Sequence, residues 1–158
     1  MRGIMLLALV AAACSQAKAT SQTPDDSSPP MRGSLAEELS AEAAERPASG
    51  PRAEDVFAAF AREHEPVAGT MQVLARPVRA RYCASGRTAA GLGVVVCEYD
   101  SEDAARRGRD QSERVFGRAI PNRTLAVHRT ALLTLTRPTA DPAMAAEADR
   151  LSGLFQTL

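Results

Sequence analysis

With 158 residues, the chain has room for one domain of ordinary size together with a leader and a tail. Aromatic residues make up 4% and Trp is absent, so the 45% hydrophobic fraction rests on Ala, Leu and Val and excludes a core built on large rings. The formal net charge is zero, yet basic side chains outnumber acidic ones between residues 67 and 137 and are outnumbered on either side. Such a basic region suits an anionic surface, or else is matched internally.

The chain opens with one positive charge in Met1-Arg2-Gly3. An apolar run over residues 4–10 follows, and then Ala11-Ala12-Ala13-Cys14. A charged start, a short apolar segment and small residues at a cut site are the layout of a secretory signal. The run is too short to span a bilayer, which takes roughly 20 apolar residues. The cysteine at the cut position resembles the lipobox of bacterial lipoproteins, with Ala11 where that family usually carries Leu. The resemblance implies that residues 1–13 are removed and that the Cys14 thiol is acylated. The protein is then held in the bacterial cell envelope by its lipid, each buried methylene contributing ~0.8 kcal/mol. Ser15 follows the cysteine, so the family's Asp signal for inner-membrane retention is absent. The implied location is the outer membrane, facing the periplasm, if the source is Gram-negative.

Residues 14–48 read as a lipidated, largely disordered tether. No apolar period runs through residues 15–33, which carry Pro29-Pro30 and several Ser, Thr and Asp. Ser34 and Glu37 have the spacing of a capping box and open an Ala/Glu-rich stretch ending at Arg46. Only Leu35 and Leu39 give it an apolar stripe, so a transient helix is expected there.

A single domain is expected over residues 49–158. Pro51, Glu54 and Asp55 suit the start of a helix, and Ala53, Val56, Phe57 and Phe60 share one face. Pro66 stops it, because the residue before a proline avoids helical geometry. Next, Val78, Ala80 and Tyr82 alternate with Arg79 and Arg81, as in a half-buried strand with two arginines facing water. Ser85, Gly86 and Gly91 then mark a turn, and residues 93–99 form the most apolar strand, expected at the centre of the sheet. With Cys14 taken by lipid, Cys83 and Cys97 remain as an even pair, which outside the cytosol forms a disulfide. For a closed loop of about 15 residues that is worth ~3 kcal/mol. By strict alternation Cys83 lies on the arginine face, placing the bridge on the outer surface unless a bulge intervenes.

Asp100 or Ser101 can cap the following helix, along which Ala104, Ala105, Gly108, Ser112, Val115 and Phe116 form a stripe of mostly small residues. Gly108 in mid-helix points to a close approach of the backbone to the sheet, and Gly117 ends the helix. Residues 124–128 and 131–136 fit two strands with a tight turn, or one long strand. Asp141 caps a last helix bearing Met144, Ala148, Leu151, Leu154, Phe155 and Leu158. The expected class is α+β. It takes the form of a two-layer sandwich with an antiparallel four-stranded sheet in ββαββα order, helices on one face, and an extra N-terminal helix. The element order is similar to that of the pterin carbinolamine dehydratases, although the clustered histidines of that family have no counterpart here.

No catalytic, phosphate-binding or dinucleotide motif occurs, and no metal or cofactor is expected from His64 and His128, which are far apart in sequence. Nucleic acid is not an expected partner, since the arginines are not interleaved with stacking aromatics on one face. The expected contact surface is Arg79 and Arg81, about 7 Å apart along a strand, extended by Arg87 in the turn. The expected function is that of a small non-enzymatic envelope lipoprotein that binds an envelope protein or an anionic envelope component. Two alternatives stand beside it: an enzyme with an acid–base site near Glu98, Asp100 and His128, and a structural subunit of an envelope assembly.

Overall fold

The computed structural model describes residues 33–158, so the expected leader over residues 1–13, the expected lipidation site Cys14 and the expected tether as far as residue 32 lie outside the described residues. The most apolar run of the chain becomes strand β3 (Gly93–Glu98), the middle of a five-stranded sheet. Around it lie β1 (Ala68–Val73), β2 (Tyr82–Arg87), β4 (Arg123–His128) and β5 (Ala131–Thr136), all antiparallel, in the order β1-β2-β3-β5-β4. Helices α1 (Leu35–Ala44), α2 (Ala53–Arg62), α3 (Glu102–Phe116) and α4 (Pro142–Phe155) complete the fold, with a short 3-10 turn at Arg76–Val78. The class is α+β, but the expected four-stranded ββαββα sheet is corrected to five strands. The segment from β2 to α4 has that order, and β1 is added at the edge beside β2. Residues 124–136 form a hairpin, β4 pairing directly with β5.

Helices cover both faces, not one. Val94 and Val96 point with Leu133 and Leu135 toward Val56 and Phe60 of α2 and Leu151 and Phe155 of α4. Cys97 points the other way, with Cys83 and Leu132, toward Ala105 of α3 and Val78 of the 3-10 turn. A strand buried on both faces has no polar side to alternate with, which is why β3 reads as a continuous apolar run.

The expected strand over residues 78–82 is absent. Pro77 fixes a backbone angle suited to the 3-10 turn, and Arg79 closes that turn in the left-handed region at φ 58°. The strand starts at Tyr82 and runs through Ser85 and Gly86, which were expected to turn. Gly86 serves a close approach instead: a Cβ there would run into the Val67 side chain and lie 3.0 Å from the Ala68 carbonyl oxygen. The chain reverses after Thr88, whose N–H donates to Leu92 O at 3.0 Å. β1 carries a bulge between Ala68 and Met71, with Gly69 left-handed at φ 62°.

Cover of the second face by α3 and the 3-10 turn decides the place of the cysteines. Cys83 and Cys97 are register partners, joined by a disulfide with S–S 2.05 Å. They are 1% and 4% exposed, within the core beneath α3 rather than on an outer surface.

Ser101 caps α3, its hydroxyl accepting from Ala104 N at 3.2 Å. Gly108 lies against Tyr99, the residue following β3, whose buried hydroxyl donates to Val78 O at 3.2 Å. A Cβ at position 108 would overlap the Tyr99 hydroxyl and ring. Helix propensity alone would make Gly108→Ala stabilising by about 1 kcal/mol. The overlap reverses the sign, and a net loss of about 1–3 kcal/mol is expected in urea denaturation. A gain in stability would contradict the packing described.

The stretch expected as a transient helix within the tether is α1, and it is bound to the domain. Its capping box is formed, Ser34 N donating to Glu37 Oε2 at 2.7 Å and Glu37 N to Ser34 Oγ at 3.3 Å. The buried Glu42 carboxylate accepts from Ala75 N at 2.9 Å and Arg76 N at 3.0 Å. Gln72 Nε2 donates to Leu39 O at 2.7 Å, and Glu38 pairs with Arg76. Leu35 is 52% exposed, so polar bonds, more than apolar burial, hold this helix.

Candidate functional site

Glu98 ends β3 with its side chain 4% exposed. The N-cap of α2 is Arg52, which has no side-chain acceptor for the first helical N–H groups. Glu98 supplies one from across the fold, accepting from Ala53 N at 2.8 Å on Oε1. Arg46, just past α1, donates to the same carboxylate from Nε at 2.8 Å and from Nη2 at 2.5 Å. It also donates from Nη1 to Glu54 at 3.0 Å, and its guanidinium lies 4.1 Å from the Tyr82 ring centre. Arg46 is thereby held more firmly protonated than an ordinary arginine, by its bonds to Glu98 first and Glu54 second. Glu54 is in turn held below the usual carboxylate range by Arg46. These groups tie β3, α2 and the exit of α1 to one carboxylate.

The three expected acid–base residues are not assembled into one site. Glu98 and His128 flank Ala131 in one row across the sheet, two strands apart, or about 10 Å at ~4.8 Å per strand. His128 donates from Nε2 to Leu158 O at 3.0 Å and stands edge-on to Phe155, ring centres 5.8 Å apart. Asp100 lies beyond the strand and accepts from Arg81 Nε at 2.7 Å.

Nor do the three expected arginines form one patch. Arg87 donates to Gly91 O at 2.8 Å, at the opposite end of β2 from Tyr82, about 17 Å away at a rise of ~3.3 Å per residue. Arg81 is bound to Asp100 and, at 3.2 Å, to Glu45. Arg79 is exposed, and its side chain has no hydrogen-bond or ion-pair partner among the described residues. Arg79 and Arg81 instead line a cleft of about 690 Å³ between α1 and the 3-10 turn. Glu37, Glu38, Glu42 and Glu45 line the α1 side, and Arg76, Arg79 and Arg81 the other together with Asp100, so acids outnumber arginines in the lining.

Sequence reasoning missed Arg46 and Glu42. Each acts alone within a polar stretch, so no periodicity marks it. The only hint is a helix start, at α2, without a capping side chain of its own.

A titrating group lies elsewhere, on α4. Burial, and next the charge of Glu65, push the Glu147 carboxyl above the usual carboxylate range. Glu65 is itself paired with Arg150 at 3.2 Å. A raised acid pKa means that this group's contribution to stability is present in acid and lost as pH rises through its folded value. Glu147→Gln is therefore expected to raise the thermal midpoint at neutral pH and to leave it unchanged in acid. A lowered neutral midpoint would contradict this. Among the described residues no helix is long and apolar enough to cross a membrane. Compared with known protein families, with curated proteins and with solved structures, the chain matches none of them.

Proposed function

We propose that this chain is a small, non-enzymatic accessory protein of the bacterial cell envelope, anchored by lipid at Cys14. Its domain binds a partner protein at the cleft between α1 and the 3-10 turn, where one carboxylate of the partner meets Arg79. The observation that carries the binding site is Arg79. Arg76 and Arg81 on the same wall are already matched by Glu38, Glu45 and Asp100. Arg79 alone on that wall presents an unmatched guanidinium, whose planar fork suits a carboxylate bound through two parallel hydrogen bonds. The non-enzymatic reading is supported by the structural bonds that engage Glu98, Asp100 and His128.

A photoreactive amino acid placed at Ala80, beside Arg79, tests this in the envelope of the producing cell. One discrete cross-linked adduct is expected, lost when Arg79→Gln is added and absent from the same probe at exposed Ala89 in the β2–β3 turn. An adduct indifferent to Arg79→Gln, or no adduct at all, would count against the cleft.

A further inference from the structure

We infer that the face of α3 bearing Arg107 and Arg114, together with the turn that follows it, is a docking surface for anionic lipid headgroups. Arg107, Arg114 and Arg118 are spaced seven and four residues apart, which aligns them on one side of the helix and its continuing turn. All three are exposed. Arg107 and Arg118 have no side-chain partner among the described residues, and Arg114 donates only to neutral Gln111, at 2.7 Å. The acids of the helix are engaged by other arginines: Glu102 by Arg106, Asp110 by Arg109 and Glu113 by Arg123. Asp103 alone among them has no arginine partner. It lies four residues, or about 6 Å at ~1.5 Å per residue, before Arg107 on the same side of α3, and about 16 Å from Arg114, so Arg114 and Arg118 are the arginines farthest from an unpaired acid of this helix.

The second observation is apolar. Val115 and Ile120 are 41% and 39% exposed and flank Arg118 in sequence. Unmatched guanidinium groups beside exposed aliphatic side chains suit a headgroup layer. The arginines meet phosphates there while the aliphatic groups enter the acyl boundary. An acidic protein surface would satisfy the charges but would leave the two aliphatic groups without a stated role. Acylation at Cys14, on which the inference rests only for proximity, puts a bilayer within reach. The 19 peptide steps from Cys14 to Gly33 span at most about 65 Å. Docking through α3 then fixes how the domain faces the membrane, which attachment at a single point does not do.

The absence of Trp from the chain supplies a clean probe. Ile120→Trp, in the full chain as purified from cells, is mixed with vesicles of phosphatidylcholine alone or with phosphatidylglycerol added. A blue shift of Trp emission and quenching by bromolipid are expected only with phosphatidylglycerol, and both should reverse in high salt. Each arginine near an anionic surface is worth ~1 kcal/mol, so each Arg→Gln change lowers the docked-to-undocked ratio on the order of fivefold. Arg107→Gln, Arg114→Gln and Arg118→Gln together then lower it on the order of a hundredfold. Replacing the paired Arg106 and Arg109 should leave the shift in place. An equal shift on neutral vesicles, no shift on either, or insensitivity to the triple change would overturn the inference. Intact mass on the same sample reports acylation, so failure of the anchor and failure of the surface are told apart.

Discussion

Glu98→Ala is expected to cost about 3–5 kcal/mol, the range for removing one partner of a buried ion pair. Three consequences act together. Arg46, with its side chain 19% exposed, keeps its charge and loses the carboxylate that accepts two of its hydrogen bonds. Ala53 N–H, buried at the start of α2, loses its acceptor. The chain between α1 and α2 then loses the bond that fixes its path. Against a typical total of about 5–15 kcal/mol, that loss leaves a small domain near its limit. Glu98→Gln retains an oxygen for Ala53 and should cost less. Arg46→Leu combined with Glu98→Leu removes both charges and should recover part of the loss, because no buried charge is left uncompensated, the Glu54 carboxylate that also loses Arg46 being exposed. Urea denaturation of the three variants gives the order directly. A cost below about 1 kcal/mol for Glu98→Ala would mean that this carboxylate does not organise the fold, and would reopen its role as an acid–base group.

Loss of the Cys83–Cys97 bridge has the second largest expected effect. The two cysteines are 14 residues apart in sequence, and chain entropy alone assigns such a loop ~3 kcal/mol. Because both sulfurs lie in the core under α3, Cys83→Ala with Cys97→Ala also removes packing against Tyr99 and Leu132. Burial adds a kinetic expectation: mild reductant should leave the bridge intact in the folded protein and cleave it rapidly once denaturant is present. Rapid reduction without denaturant would place the sulfurs at the surface and contradict the packing of α3.

Periodicity made much of this architecture legible. The core strand and the helices starting near Ala53, Glu102 and Pro142 all carry strong local signals, whereas the strand character of residues 124–136 was legible and its division into a hairpin was not. The approach of Gly108 to its neighbours was readable from a glycine in mid-helix. β1 was missed because Ala68, Gly69, Thr70 and Met71 are all exposed at an edge, so no alternation marks them. The misplaced strand has the opposite cause. Val78, Arg79, Ala80 and Arg81 alternate by chance, while Pro77 and a left-handed Arg79 dictate a turn. That shift of four residues dispersed the expected arginine patch, while the cover of α3 and the 3-10 turn over the second face of the sheet put the cysteines in a core instead of on an outer surface. α1 was underestimated because its attachment is polar. Hydrophobic patterning registers Leu35 and Leu39 and is blind to a buried glutamate that binds two backbone amides.

Charge bookkeeping by residue type therefore says little about where this domain binds, whereas pairing says much. Arg46, Arg76, Arg81 and Arg123 hold the fold together through carboxylates. Arg79, Arg107 and Arg118 remain unmatched among the described residues, and both proposed contact surfaces are built on them.

Anchoring is the claim on which the proposed role turns, and intact mass of the chain extracted from membranes tests it most directly. The account predicts a polypeptide that begins at Cys14, is heavier than its sequence by acyl chains, and gains two hydrogens on reduction as the Cys83–Cys97 bridge opens. A chain that retains residues 1–13 and carries no added acyl mass would contradict it.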